Sequence, residues 1–101
     1  MTTIARHWRG LARADAADAY VQHLRGETFP AIQALPGFLE ASILQRKVDK
    51  GVEFIVVTVW ASVDAIKGFA GNDAEAAVVP QKVKDMMIEC DDRARHYEMH
   101  F

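Results

Sequence analysis

The stretch from Glu53 to Ser62 constrains the fold of this 101-residue chain most strongly. From Phe54 to Ala61 every residue but Thr58 is apolar. Alternate residues of a β-strand point to opposite faces of a sheet. One face of the run carries Phe54, Val56, Thr58 and Trp60, and the other carries Ile55, Val57 and Val59. A strand with one wet side alternates apolar and polar residues, whereas both faces are apolar in this run. The sequence therefore predicts a strand that is covered on both sides.

The rest of the chain supplies a β-α-β-β-α-β order of elements. Strands are predicted at Thr2 to Arg9, from Phe38 to the turn at Val48, at Glu53 to Ala61 and at Ala94 to Phe101. Apolar residues three and four apart predict helices at Arg13 to Arg25, in a short piece after Pro30, at Val63 to Ala70 and around Val79 to Met87. This order predicts an α+β, ferredoxin-like fold with a four-stranded antiparallel sheet.

Turn and cap residues predict where these elements end. Gly10 is expected to end the first strand, and Gly26 with Pro30 to interrupt the first helix. A positive φ is expected at Gly51 in the hairpin between the two middle strands. Ser62 is the predicted N-cap of the following helix, and Gly71 its predicted end.

Composition indicates one domain over residues 1–101. Twelve basic and fourteen acidic residues give a net charge of −2 without a basic run, so neither nucleic-acid nor membrane-surface binding is predicted. Cys90 is the only cysteine, and a lone thiol is typical of the reducing cytoplasm. Met1 to Arg9 has no apolar core of a signal peptide, and no run is long enough to span a membrane. We therefore expect a cytoplasmic protein.

The two apolar faces of the central strand also predict a partner. A four-stranded sheet of this kind places its helices on one face and leaves the other open. A second copy of the chain is the expected cover for the open face, because two-fold homodimers are the commonest soluble oligomers.

Four short motifs resemble one bacterial branch of the antibiotic biosynthesis monooxygenase (ABM) family. They are His7-Trp8-Arg9-Gly10, Pro36-Gly37-Phe38, Ala76-Ala77-Val78-Val79-Pro80 and Arg95-His96-Tyr97-Glu98, together with a helix that ends Gly68-Phe69-Ala70-Gly71. The resemblance implies a dimeric α+β barrel in which two protomers pair sheet to sheet, with a pocket between sheet and helices. It further implies relatives that include cofactor-independent monooxygenases of polycyclic phenols, haem-degrading enzymes and proteins without an assigned reaction.

Haem degradation is not expected from the resemblance. That branch uses an Asn on the first strand, a Trp in the second helical region and a His shortly after it. This chain has His7, Phe69 and Val79 at those places, and no histidine follows Phe69 before His96.

A pocket group is expected for cofactor-free oxygenation, in which a base removes the proton of a phenol and the resulting anion reacts with oxygen. His7 or His96 is the candidate base. Arg9 or Arg6 is the candidate cation for the anion, and His7, His96 and Arg9 form the predicted catalytic set. The predicted substrate-binding set is Trp8, Thr58, Trp60, Phe69 and Tyr97. Each residue also has a structural interpretation, since a strand Trp or His more often serves the core or an interface.

A second constellation, formed by His96, Glu98 and His100, lies on one face of the last strand. Ligands two residues apart on a strand have Cα atoms about 7 Å apart, so a polar strand face or a dimer contact is favoured over a metal site. No metal or flavin is expected.

Two functions remain open from the sequence. The first is a cofactor-independent monooxygenase that acts on a small aromatic molecule, phenolic or quinol. The second is a non-catalytic, dimeric small-ligand-binding or stress-associated protein, for which the pocket would be small, closed or filled by the chain's own side chains.

Overall fold

A computed structural model describes residues 2–100 of the chain, and the predicted α+β, ferredoxin-like fold is confirmed. The strands are β1 (Thr3–Ala12), β2 (Phe38–Val48), β3 (Gly51–Trp60), β4 (Met87–Cys90) and β5 (Arg95–Met99). The helices are α1 (Ala17–His23), α2 (Phe29–Gln33), α3 (Val63–Ala70) and α4 (Gln81–Lys84). A 3₁₀ turn at Ala14–Ala16 precedes α1, and a π turn at Leu24–Thr28 joins α1 to α2. Among residues 2–100, no helix combines the length and apolar character needed to cross a membrane.

The sheet is antiparallel with the order β2-β3-β1-β4, and β5 pairs with β1 on the same edge as β4. The prediction of four strands was therefore wrong by one. The short strands β4 and β5 lie end to end along β1, since β4 pairs with Gly10–Ala12 and β5 with Thr3–His7. Residues 91–94 separate them. Asp91 N–H still donates to Arg9 of β1, but residues 92–94 pair instead with residues 75–77.

The segment around Met87 also corrects the prediction. The helix predicted around Val79 to Met87 is present only as α4, and Met87 begins β4. The spacing of Val83, Met86 and Met87 suits a helix, but pairing of Met87 with Ala12 decides the outcome. Phe101, the last residue of the predicted final strand, lies outside the described residues.

Three glycine and proline predictions also change. β1 continues through Gly10, where a Cβ would lie 2.7 Å from the ring of Trp8. Gly51 has no positive φ; a Cβ there would collide with the backbone oxygen of Ala12. Gly26 and Pro30 do not end the helical segment, because the π turn contains Gly26 and Pro30 lies in the first turn of α2, where it needs no N–H partner.

The α3 boundaries are confirmed. Ser62 Oγ accepts a hydrogen bond from Ala65 N–H at 3.1 Å, and Gly71 ends the helix with φ of 87° while its N–H donates to Lys67. The hairpin between β2 and β3 is also confirmed, with Val48 opposite Gly51.

The helices cover one face of the sheet, which we call the helix-covered face. It carries Arg6 and Trp8 of β1 and Phe54, Val56, Thr58 and Trp60 of β3. The opposite face, which we call the open face, carries Ala5, His7 and Arg9 of β1 and Ile55, Val57 and Val59 of β3. Two apolar clusters fill the helix-covered side, one around Tyr20 and Phe54 and one around Ile32, Trp60 and Ile66.

Candidate functional site

Two adjacent spaces lie on the helix-covered side, an inner cavity between the sheet and the helices and an outer cleft lined by the helical segments and the 78–80 region. The inner cavity has a volume of about 60 Å³ and is lined by Arg6, Trp8, Val56 and Thr58 of the sheet and by side chains of the helical segments and the 78–83 region. The outer cleft has a volume of about 390 Å³. The two spaces share the lining residues His23, Thr28, Ile32, Phe69, Val78 and Pro80. The cleft and the cavity are thus neighbouring spaces with a shared wall.

Arg6 is the charged group of the inner cavity, with only 4% of its surface exposed. Its guanidinium donates to the carbonyl oxygens of Ala74 and Ala76 and lies 2.9 Å from His96 Nε2. All three acceptors are neutral. Within residues 2–100, no carboxylate oxygen lies within 4.0 Å of the guanidinium. Burial lowers the pKa of Arg6, and the negative charge of nearby Glu75 only partly opposes this effect.

His96 lies beside Arg6 because the two residues are directly opposite each other on β5 and β1. A guanidinium only donates hydrogen bonds, so Nε2 of His96 must be the acceptor and the proton sits on Nδ1. Burial and the Arg6 cation lower the pKa of His96, which keeps the ring neutral. The lone pair of His96 is therefore engaged in holding Arg6.

Aromatic side chains form the walls around Arg6. Trp8, Tyr20, Phe29 and Phe69 line the inner cavity. The Phe69 ring lies 5.6 Å from the guanidinium carbon of Arg6, a cation–π distance. Trp60 lies behind Phe69, with ring centroids 6.2 Å apart, and is fully buried. Trp60 does not line either space, so its contact with a ligand would be indirect.

Thr58 connects this wall to the sheet. It lies opposite Arg6 on β3 and is buried, and its Oγ1 accepts a hydrogen bond from the indole N–H of Trp60 at 2.8 Å. The indole N–H of Trp60 is thus satisfied inside the core, while Thr58 itself lines the cavity.

The structure divides the predicted site between the two faces of the sheet. Trp8, Thr58 and Phe69 line the inner cavity, and His96 reaches it through Arg6. His7, Arg9 and Tyr97 lie on the open face instead. His7 packs against Tyr97 with centroids 5.0 Å apart, and Arg9 donates to Glu53 at 2.7 Å. The eight residues therefore do not line one space in the single chain, because adjacent strand residues point to opposite faces, and their roles stay predictions.

Sequence reasoning missed His23, which lines both spaces and is only 8% exposed. Its Nδ1 lies 3.3 Å from Glu27 Oε2, and its Nε2 lies 3.2 Å from Thr28 Oγ1. Lys82 Nζ donates to the same Glu27 oxygen at 2.7 Å. The available signal was spacing, since His23 follows Tyr20 by three residues on the buried stripe and Glu27 follows His23 by four.

The other constellations give no convergent site. Glu98 and His100 lie 3.7 Å apart, and no group of three His, Cys, Asp or Glu side chains in residues 2–100 could hold a metal ion. Of the three positions compared with the haem-degrading branch, Phe69 and Val79 line the inner cavity, whereas His7 lies on the open face. On β1, the residue next to His7 that faces the cavity is Arg6.

This arrangement suits an aromatic anion. Aromatic walls contact a ring, and a buried cation contacts its negatively charged oxygen. An imidazole beside a carboxylate can accept a proton.

The fold is similar to several solved structures. A Bacillus cereus protein assigned to the antibiotic biosynthesis monooxygenases is 21% identical with a TM-score of 0.69, covering 98% of this chain and 94% of its own. The heme-degrader MhuD from Mycobacterium tuberculosis, with two hemes bound in its active site, is 19% identical with a TM-score of 0.64, covering 98% and 96%. SnoaB, a cofactor-independent oxygenase from Streptomyces nogalater, is 15% identical with a TM-score of 0.61, covering 100% and 94%. At such identities the likeness concerns the fold.

Two comparisons concern the sequence itself. A search of curated proteins finds no match. The family model described as antibiotic biosynthesis monooxygenase matches residues 3–81, which include β1 through α3 and most of the lining of the cavity. Because this match spans most of the chain, the chain belongs to the antibiotic biosynthesis monooxygenase family.

Proposed function

We propose that this chain is a cofactor-independent monooxygenase-like protein that acts on a small aromatic molecule, phenolic or quinol. The buried guanidinium of Arg6 supports the proposal most strongly. A buried charge is costly unless it is paired. Since the described neighbours of Arg6 are all neutral acceptors, an anionic ligand oxygen would supply the missing charge.

The guanidinium of Arg6 has N–H donors left to bind that oxygen. The guanidinium carries more N–H groups than its contacts with Ala74, Ala76 and His96 use. Phe69 lies over the guanidinium and also lines the outer cleft, so an aromatic ring in the cleft would contact Phe69 and direct its oxygen inward.

The reaction needs no electron donor other than the substrate. Loss of the phenolic proton leaves an anion, which transfers electrons to O₂ and forms a carbon–oxygen bond. The resulting hydroperoxide loses water and leaves a carbonyl carbon. One oxygen atom enters the product as the carbonyl oxygen, the other leaves as water, and the substrate carbon supplies all four electrons that reduce O₂. Arg6 would stabilise the anion at the start of this sequence.

The dimensions of the two spaces limit how a ligand binds. Ligand sites of this kind commonly have volumes of about 300–1,000 Å³. The outer cleft, at about 390 Å³, falls in this range, whereas the inner cavity, at about 60 Å³, accommodates only a small group. We therefore place the ring in the cleft and its oxygen in the cavity.

The small inner cavity favours one alternative, a non-catalytic protein that binds the same aromatic anion. Its walls are packed by the chain's own side chains, among them Tyr20 and Leu24. Such a protein would bind phenols without consuming oxygen, so the two functions differ in one measurement.

We further propose that a second copy covers the open face. Ile55 and Val57 remain partly exposed there, and Leu44 and Tyr97 are exposed by 53% and 49%. Arg9, Glu53 and Arg46 form an ion-pair group on this face beside these apolar residues. Light scattering should give twice the 11.3 kDa chain mass, and a stable monomer would contradict this proposal.

The lone thiol of Cys90 fits a cytoplasmic location.

Oxygen consumption tests the proposed reaction. The purified protein is incubated with anthrone-like and quinol substrates in an oxygen electrode, and products are analysed by mass spectrometry in ¹⁸O₂. We expect one O₂ consumed and one ¹⁸O atom incorporated per substrate. Binding without oxygen consumption would support the non-catalytic alternative, and absence of both would contradict the site.

A further inference from the structure

We infer that His23 is the general base of this site and that Glu27 is its positioning residue. The inference deepens the proposed function and rests on it. Within residues 2–100, His23 is the one imidazole among the side chains that line the inner cavity and the outer cleft. It borders both spaces, so it lies where the ring of a ligand in the cleft and its oxygen in the cavity would meet.

The π turn at Leu24–Thr28 creates the surroundings of His23. The N–H of Phe29 donates to Leu24, five residues earlier, instead of to the carbonyl four residues earlier as in an α-helix. Thr28 follows His23 by five positions, and the wider turn brings it next to the His23 ring. Glu27 contacts the other ring nitrogen. Single π turns occur frequently at functional sites, and this one contacts both nitrogens of the same imidazole.

The two contacts determine where the proton lies on the neutral ring. The Lys82 ammonium and the His23 imidazole lower the pKa of Glu27, so its carboxylate is ionised and only accepts hydrogen bonds. His23 Nδ1–H therefore donates to Glu27. Nε2 carries the lone pair and accepts from the hydroxyl of Thr28, which also lines both spaces. A substrate hydroxyl that replaces the Thr28 hydroxyl would donate to the same lone pair.

The proton then follows a balanced route. The substrate O–H bond breaks and its proton moves to His23 Nε2, which leaves an aromatic oxyanion beside Arg6 and an imidazolium beside Glu27. After the anion has reacted with O₂, the imidazolium returns the proton to the peroxide. The O–O bond of the hydroperoxide and the C–H bond of the same carbon then break, and the outer oxygen leaves as hydroxide, takes the proton from that carbon and becomes water, while the inner oxygen stays as the carbonyl. His23 ends neutral, as it began.

The other charged and titratable groups around His23 are compatible with this role. Glu27 and Lys82 form one ion-paired group on its outer side. Arg6 lines the same cavity and would hold the anion that His23 generates. Burial raises the pKa of Tyr20, so this phenol stays protonated and does not compete as a base. His96 does not line either space, and its lone pair accepts from Arg6.

Proton release on binding tests this assignment without requiring turnover. The probe is 4-nitrophenol, whose phenolate is coloured, added below its own pKa. In the wild type we expect the colour of bound phenolate with no proton released, because His23 takes the proton. In His23→Gln, phenolate binding should release about one proton per site, measured by calorimetry in two buffers of different ionisation enthalpy, or no coloured complex should form. Glu27→Gln should give an intermediate release, because the imidazolium loses its carboxylate.

His100→Gln is the matched control, since His100 is exposed, lines neither space and lies beside Glu98 on the last strand segment. It should behave as the wild type. Full proton release in the wild type, or a coloured complex without release in His23→Gln, would overturn the role of His23. Absence of probe binding to the wild type would overturn the binding site of the proposed function, and the role of His23 with it. Glu27→Gln keeps the test valid if His23→Gln does not fold, because unchanged release in Glu27→Gln would contradict the pairing.

Discussion

The two faces of the sheet are both apolar along β3, yet their arginines differ in burial and in ion pairing. On the helix-covered face, Arg6 is buried and contacts only neutral acceptors among the described residues. On the open face, Arg9 is paired with Glu53, which also accepts from Arg46 at 2.6 Å. A paired and partly exposed arginine needs no further partner. Among residues 2–100 the buried arginine has no carboxylate within 4.0 Å, and the charge of nearby Glu75 only partly offsets its burial. We base the proposal of a ligand site on one face and of a dimer contact on the other on this difference.

The largest expected effect comes from replacing Arg6, and the same substitution at Arg9 is the comparison. Arg6→Gln should weaken phenolate binding and any oxygen consumption by about 100-fold or more, because a donor to the oxyanion and its charge are lost. Arg9→Gln tests the role that the sequence predicted for Arg9, and we expect it to affect binding far less. Equilibrium titration with 4-nitrophenol measures both.

Arg25→Gln, at an exposed arginine of the π turn, serves as the control for loss of a positive charge. Circular dichroism should show that the variants fold. If Arg9→Gln abolishes binding and Arg6→Gln does not, the division of the site between the faces is wrong.

A charge in the centre of the open face should dissociate the proposed dimer. In Val57→Asp an unpaired carboxylate would be buried between two sheets, which is costly, so we expect the dissociation constant to rise by about 100-fold or more. Sedimentation at micromolar concentration measures the effect. Val63→Asp, at an exposed valine in the first turn of α3, is the control and should sediment as the wild type does. An unchanged mass for Val57→Asp would place the interface elsewhere.

A smaller effect is expected where Thr58 meets Trp60. Thr58→Val leaves the buried indole N–H without its acceptor, which should reduce the free energy of unfolding by about 1–3 kcal/mol. Thr58→Ser keeps the hydroxyl and should lose less. Denaturant titration gives both values. Equal stability of Thr58→Val and the wild type would mean that the indole finds another partner.

The smallest expected effect is a pH dependence from His96. Its pKa is lowered in the folded protein, so the unfolded chain binds more protons once the pH falls below the ordinary histidine value near 6.5. Stability should therefore fall as the pH is lowered from 7 towards 5, and His96→Gln should reduce this slope. His7→Gln, at the histidine of the open face, is compared in the same denaturant series. An identical slope in His96→Gln and the wild type would contradict the role of His96 as a neutral acceptor.

The sequence predicted the regular elements well where local signals agree with pairing. The apolar run of β3, the hairpin to β2 and the capped helix α3 all carry local signals, namely β-branched residues, turn residues and a serine N-cap. β4 was missed because Met86 and Met87 continue a helical spacing, and only the pairing of Met87 with Ala12 makes the segment extended.

The structure brings only some of the residues predicted for the site together. Trp8, Thr58 and Phe69 line the cavity, whereas His7, Arg9 and Tyr97 do not. Alternation within one strand is visible in the sequence, but the register between strands is not. The pairing of Arg6 with both Thr58 and His96 puts these three side chains on one face and His7 on the other.

The sequence by itself determined that the central strand must be covered on both faces, because an apolar run from Phe54 to Trp60 cannot leave either side in water at low cost. It also determined the family and the order of the elements from β1 to α3, whereas β4 came only from the structure. Only the tertiary structure decided which face receives the helices, since that depends on pairing between strands far apart in the chain. It also decided that Arg6 is the buried cation and that the π turn places Thr28 and Glu27 on the two nitrogens of His23.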